Sequence, residues 1–135
     1  MRNKNVIIYW VATIWLSLGM TVTGITQLFQ MEEVVQNMNS LGYPPYFLTI
    51  IGSWKIAGII AILMPKFLLV KEWAYAGFFF LMSGAIFSHL AMGDPLTEYF
   101  GPVLLLTLTI ISWYWRPSHK KIQLIEDEND NKSTR

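Results

Sequence analysis

One lysine stands in the middle of a long apolar stretch, where its charge requires compensation. Lys55 is the only charged residue between positions 46 and 64. If this stretch crosses a bilayer as a helix, Lys55 lies roughly 13 Å from the helix's outer end, because each residue rises about 1.5 Å. Charged residues at such depths are costly, face the bundle interior and mark functional sites. Lys55 is therefore the first candidate for a binding residue.

Four other polar residues fall at comparable depths of the remaining apolar stretches: Gln27, His89, Asp94 and Glu98. Together with Lys55 they predict a polar cluster that binds a ligand or ion in a cavity open to the outer side. We expect Lys55 and Glu98 to form its ion pair. The alternative is that this pair only fixes the register of the helices, a role for which buried polar groups are well attested.

Several other kinds of chemistry are excluded or unsupported by the composition. The chain has no cysteine, which excludes disulfides, thiolate nucleophiles and zinc sites built on sulfur. Of its two histidines, the second, His119, follows the last apolar stretch, so we expect no haem or metal site. A net charge of +1 without a basic face argues against nucleic-acid binding. No phosphate loop, dinucleotide fingerprint or hydrolase triad motif is present, so we expect no catalytic activity from the chain alone.

Four transmembrane helices are the elements that must position these residues. The sequence is 53% hydrophobic and 14% charged, with a mean hydropathy of +0.39. A span needs about 20 apolar residues. Windows of that kind cover about 6–28, 46–64, 73–91 and 96–115. The pattern predicts an all-α fold, a polytopic four-transmembrane-helix bundle formed by residues 1–115 in a lipid bilayer.

Charge placement predicts the orientation of this bundle. Lysines and arginines precede the first span, lie between the second and third, and follow the fourth, whereas the other two loops contain only acidic charges. The positive-inside rule therefore places both termini in the cytoplasm. The chain has 10 basic and 9 acidic residues, and nine of these charged residues, of both signs, lie in 116–135. This segment is predicted to form a charged, disordered cytoplasmic tail.

Two further patterns concern packing. In the first outer loop, Met31, Val34, Val35, Met38 and Leu41 recur at helical spacing, which predicts a short amphipathic helix on the membrane surface or capping the bundle. Small residues line one face of three spans and predict close helix packing rather than a ligand groove. They are Thr13, Ser17, Thr21 and Gly24, then Ser53, Ala57 and Ala61, then Gly77, Gly84, Ser88 and Ala91.

Four short segments resemble the DoxX-like family of small bacterial four-helix membrane proteins. They are LGYP at 41–44, GSWKIAG at 52–58, KEWAYAGF at 71–78 and SHLAMGD at 88–94. The resemblance extends over about residues 6–115. It implies a bacterial inner-membrane location and makes Lys55, Glu72, His89 and Asp94 the recurrent polar positions. From sequence position alone, we expect Glu72 to be an anchor at the cytoplasmic interface, with Lys66 or Lys71 as its candidate partners.

The family takes its name from a subunit of a thiosulfate:quinone oxidoreductase. The resemblance therefore implies an auxiliary subunit of a membrane redox or stress-response complex, with a quinone as the natural lipophilic ligand and no other cofactor evident. Two alternatives remain open at this point. One is a small transporter or ion-conducting homo-oligomer, and the other is a structural partner for other membrane proteins.

Overall fold

The computed structural model describes residues 2–121, and within that range the chain is helical without strands. The elements are α1 (Arg2–Leu28), α2 (Glu32–Ser40), α3 (Tyr46–Leu63), α4 (Leu68–Met92), α5 (Leu96–Tyr114) and a 3-10 turn at Ser118–Lys120. Four of the helices are long and apolar enough to cross a membrane, with candidate spans Asn3–Leu28, Tyr46–Leu63, Leu68–Met92 and Leu96–Tyr114. The predicted all-α, four-helix membrane bundle is confirmed.

The four long helices form a ring in which every neighbour is antiparallel. Helix α1 packs against α3 and α5, and α4 packs against the same two helices. Helices α3 and α5 are therefore diagonal to each other. One end of the bundle carries the start of α1, the α3–α4 connection and the residues after α5, and we call it the terminal end. The opposite end carries α2 and the α4–α5 connection, and we call it the α2 end.

An apolar core fills the middle of the bundle. It is formed by Leu16, Met20, Ile59, Ile62, Tyr75, Phe78, Met82 and Leu105, each at most 9% exposed. The outward faces are also apolar, with large exposed side chains such as Trp15, Phe80 and Phe87. In lipid such faces need no cover, because acyl chains are as apolar as the side chains themselves.

The backbones of α1 and α3 approach closely at two glycines. A Cβ atom placed on Gly52 would lie 2.8 Å from the carbonyl oxygen of Gly24, nearer than real Cβ contacts allow. The packing predicted for Gly24 is thus present. For Gly77 and Gly84 the same prediction is wrong, because both are exposed and a Cβ on either would meet nothing within 4 Å.

Helix α2 caps the bundle rather than lying apart from it. Val34, Val35 and Met38 are half-buried, and α2 contacts α1. After the helix, Gly42 adopts a φ of +85°, a left-handed conformation that glycine reaches without steric cost. Two prolines, Pro44 and Pro45, then prevent the helix from continuing and turn the chain into α3.

Buried hydroxyl groups link three helices on the terminal side of the core. Thr13 donates to the Tyr9 carbonyl at 2.6 Å, so its oxygen can only accept from Ser112, 2.7 Å away. Ser112 therefore accepts from the Tyr75 hydroxyl at 2.8 Å. The result is one directed chain, from Tyr75 through Ser112 and Thr13 to the Tyr9 carbonyl, that ties α4 to α5 and α1.

The glycine contact between α1 and α3 predicts a strong asymmetry between two alanine substitutions. Gly52→Ala forces the two backbones apart and is expected to cost about 1–3 kcal/mol, the usual range for overpacking. Gly77→Ala meets open space and should be neutral or stabilising, since alanine favours the helix by about 1 kcal/mol over glycine. Thermal unfolding in detergent micelles, followed by tryptophan fluorescence, measures the difference. Equal melting temperatures for the two variants would contradict the contact.

Candidate functional site

A cavity of about 380 Å³ lies inside the α2 end of the bundle and is lined by all five helices. Its walls are mostly apolar, with Val34 and Met38 from α2, Phe47 and Ile51 from α3 and Leu81 from α4. The polar lining consists of a few groups, which include Thr23, Gln27, Lys55, Ser88, His89 and Glu98. Size and lining match those of small-molecule sites, which hold a few convergent polar groups in an apolar pocket.

Lys55 is buried at this cavity and is only 4% exposed. Its Nζ donates to the Thr23 hydroxyl oxygen at 3.0 Å, and Thr23 in turn donates its proton to the Gly19 carbonyl at 2.8 Å. The close approach of α1 and α3 brings these two side chains together. This hydroxyl is the ammonium's only hydrogen-bond partner among residues 2–121, which leaves two N–H groups uncommitted.

The expected Lys55–Glu98 ion pair does not form. Among residues 2–121, no carboxylate lies within 4.0 Å of the Lys55 ammonium. Glu98 also lines the cavity, but it is exposed in the first turn of α5. Because α5 lies diagonally across the ring from α3, similar depth in the membrane does not bring the two side chains into contact.

His89 and Asp94 do come together, at the end of α4. Gly93 takes a left-handed φ of +70°, which reverses the chain and places Asp94 Oδ2 2.7 Å from His89 Nδ1. An ionised carboxylate only accepts, so Nδ1 carries the proton, and Nε2 is the remaining acceptor of a neutral ring. His89 lines the cavity, and the hydrogen bond from its ring to Asp94 fixes the orientation of that ring.

Gln27 lies one helical turn from Thr23 on the same face of α1, and both line the cavity. Its Oε1 atom is buried and has no hydrogen-bond partner among residues 2–121. A buried acceptor without a partner costs about 1–3 kcal/mol. The amide is therefore ready to bond to a group that enters the cavity.

A hydroxyl pair fastens the α2 end of the cavity. Ser88 donates to the Gly84 carbonyl at 3.0 Å, so it accepts from the Tyr43 hydroxyl, 2.8 Å away. This bond ties the α2–α3 turn to α4. Sequence reasoning missed Tyr43 and also missed Thr23; the only signal for Thr23 was its spacing of four residues from Gln27.

Glu72 belongs to a different cluster, at the terminal end. It pairs with Arg116 and accepts from the indole N–H of Trp113 at 3.0 Å. The expected pairing with Lys66 or Lys71 is wrong, because the turn after α5 folds Arg116 over the bundle, with its guanidinium 5.2 Å from the centre of the Tyr75 ring.

Two cations at this end are buried. Arg116 is 4% exposed and Lys71 is 1% exposed, with Lys71 Nζ donating to the Ile62 carbonyl at 2.6 Å near the end of α3. Residues 116–121, which were assigned to the disordered tail, lie on the bundle. The rest of that tail, 122–135, is outside the described residues.

Within residues 2–121, no three His, Asp or Glu side chains converge in a way that could hold a metal ion. The polar groups of the cavity are hydrogen-bonding groups spaced along an apolar wall.

Four long apolar helices and an internal cavity at one end define a multi-pass membrane protein with a candidate ligand site. Residues 11–112 match the DoxX-like family. The match covers most of the sequence, so the chain belongs to this family, and the resemblance of its four short segments is confirmed. No significant match was found among curated proteins or among solved structures.

The terminal cluster predicts a specific loss of stability. Glu72→Gln removes the carboxylate that pairs with buried Arg116 and leaves its guanidinium uncompensated. Breaking a buried pair costs about 3–5 kcal/mol, and partial exposure of Glu72 places the expected loss near the lower end, about 3 kcal/mol. Glu33→Gln, at an exposed position on α2, is the matched control. Similar thermal unfolding of both variants would show that the pair does not contribute to stability.

Proposed function

We propose that this protein binds a small lipophilic ligand in the cavity at the α2 end, as an auxiliary subunit of a membrane redox or stress-response complex. The observation that carries the proposal is the buried Lys55 ammonium, which faces a cavity of about 380 Å³ with a single hydroxyl as its partner. A buried charge with unfilled hydrogen-bonding capacity is costly in a membrane, and such residues mark ligand or ion sites.

The lining supports a lipophilic ligand, with a quinone as the first class to test. Apolar side chains such as Phe47, Ile51 and Leu81 make up most of the wall. A quinone has an apolar ring and carbonyl oxygens that accept hydrogen bonds, and Lys55 Nζ has two donors left for such an oxygen. Family membership supports the quinone only by the association of its namesake with a quinone-linked enzyme.

An apolar layer favours binding over conduction through a single chain. Between Lys55 and the hydroxyl chain at Ser112, the bundle is filled by the buried core that includes Leu16, Met20 and Met82. Ion and proton paths through membranes need polar or charged groups along their length. The buried hydroxyls of Ser17 and Thr109 are uncharged, and neither bonds to the Lys55 or Ser112 side chain within residues 2–121.

Charge asymmetry supports a bacterial inner-membrane orientation with cytoplasmic termini. The terminal end carries Lys66, Lys71, Arg116, Lys120 and Lys121. At the α2 end, the described charged residues of the connections and first helical turns are acidic, namely Glu32, Glu33, Asp94 and Glu98, while Lys55 is buried within α3. The positive-inside rule counts such lysines and arginines near span ends.

Lys55→Met is expected to remove the ligand while leaving the fold intact. Losing a hydrogen bond to a charged group costs about 1.5–3 kcal/mol, which corresponds to a roughly 10- to 100-fold weaker affinity. The probe is decylubiquinone, titrated into detergent-solubilised protein and followed by tryptophan quenching, together with mass spectrometry of quinones that co-purify. Lys66→Met, at an exposed loop position, is the matched control and should bind like the wild type.

Two results would argue against the site. If only ordinary phospholipid co-purifies from quinone-rich membranes and decylubiquinone does not bind, the quinone is excluded. If Lys55→Met binds normally but melts lower or changes its oligomeric state, Lys55 has the structural role.

The orientation can be tested by single-cysteine labelling, since the native chain has no cysteine. Asn39→Cys on α2 and Ser118→Cys after α5 are both exposed positions at opposite ends of the bundle. In intact cells, a membrane-impermeant maleimide is expected to label position 39 and to reach position 118 only after lysis. The reverse pattern would overturn the proposed orientation.

A further inference from the structure

We infer that the ligand of the Lys55 cavity is a lipophilic acid, whose anionic oxygens bind Lys55 and whose hydrocarbon chain leaves the bundle between α4 and α5. This inference rests on the proposed binding function. It narrows the ligand from lipophilic molecules in general to amphiphiles with one acidic headgroup, such as a long-chain carboxylate.

The charges around the cavity favour an acid over a neutral ligand. Lys55 is buried and has no carboxylate within 4.0 Å among residues 2–121. Asp94 accepts a hydrogen bond from His89, and Glu98 is exposed near the α2 end. A neutral quinone would give the ammonium a hydrogen bond but no compensating charge, whereas a carboxylate gives both.

Gln27 offers a second contact for the same headgroup. It lines the cavity one turn from Thr23, and its buried amide oxygen has no partner among residues 2–121. An amide serves an acid in either form, because its oxygen accepts from a protonated acid and its NH₂ donates to a carboxylate. Lys55 and Gln27 together thus fit a headgroup with two oxygen atoms.

An unfilled slot between α4 and α5 gives the hydrocarbon chain a way out. Gly84 and Gly101 both line the cavity, both are exposed, and a Cβ on either would meet nothing within 4 Å. The helices contact each other on both sides of this slot. The hydroxyls of Tyr75 and Ser112 lie 2.8 Å apart toward the terminal end, and the rings of His89 and Tyr99 lie 6.0 Å apart toward the α2 end.

Exposure at this level of a membrane protein means exposure to lipid. A chain bound with its acid at Lys55 therefore has an apolar exit to the acyl-chain region past Gly84 and Gly101. Side chains larger than hydrogen at these positions would narrow the exit. One binding pose uses all of these features: the acid binds Lys55 in the cavity, and the hydrocarbon chain leaves through the slot.

The experiment compares three probes on the whole purified chain in maltoside micelles at pH 8, with protein-free micelles as the blank. Laurate is the acid, methyl laurate is its uncharged match, and decylubiquinone is the neutral quinone. Calorimetric titration is expected to show laurate binding at least 10-fold more tightly than either neutral probe. This preference should disappear in Lys55→Met.

Leucine substitutions test the slot. Gly84→Leu and Gly101→Leu are expected to weaken laurate binding at least 10-fold. Gly77→Leu is the matched control, because Gly77 lies on the same helix as Gly84, is equally open and does not line the cavity. It should bind laurate as the wild type does.

Each outcome decides a different part. If decylubiquinone or methyl laurate binds as tightly as laurate or more tightly, and this binding is lost in Lys55→Met, the ligand is not required to be an acid. The binding site at Lys55 is then still supported. An acid preference that Gly84→Leu and Gly101→Leu leave unchanged overturns the exit path. If no probe binds above the micelle blank, both the inference of an acidic ligand and the proposed binding function are contradicted. The comparison of probes on wild-type protein remains decisive even if a variant does not fold.

Discussion

The close approach of α1 and α3 is the contact on which the candidate site depends. Gly24 and Gly52 leave no room between the two backbones for a side chain. Lys55 follows Gly52 by about one turn, so its stem is held between helices and its ammonium has to bond within the bundle. Thr23 meets it because the same contact fixes the register of α1. A wider helix pair would let lysine extend elsewhere and would remove the polar end of the cavity.

The buried cations at the two ends of the bundle have different hydrogen-bond and ion-pair partners. At the terminal end, Arg116 meets a carboxylate from Glu72, and Lys71 meets the Ile62 carbonyl that the end of α3 leaves free. At the α2 end, Lys55 meets one neutral hydroxyl. Both ends contain buried positive charge, and a second apolar pocket lies beside Glu72, Tyr75 and Trp113 at the terminal end. The cations there already have protein partners, whereas Lys55 faces its cavity with N–H groups to spare.

Hydropathy predicted the four spans, the amphipathic helix α2 and the burial of Lys55, because each follows from the number or the spacing of apolar residues. It left open whether α2 lies on the membrane surface or caps the bundle. The pairing of Lys55 with Glu98 failed because depth along a helix says nothing about position around the ring. The burial of Lys71 was not predicted, because the positive-inside rule counts lysines near span ends without showing which way a side chain turns. Gly52 and Gly84 give the same signal in the sequence, although one is in tight contact and the other lines an open slot.

The incomplete solvation of Lys55 links ligand binding to stability. A carboxylate on a neighbouring helix would have neutralised the ammonium permanently and filled the space beside it. Among residues 2–121 no helix supplies one, so the ammonium stays undercompensated in a low-dielectric interior, where such a charge is expensive. An occupant that supplies negative charge removes this cost only in the folded state, because the cavity does not exist in the unfolded chain. Under the proposed function, such binding would therefore stabilise the fold by mass action.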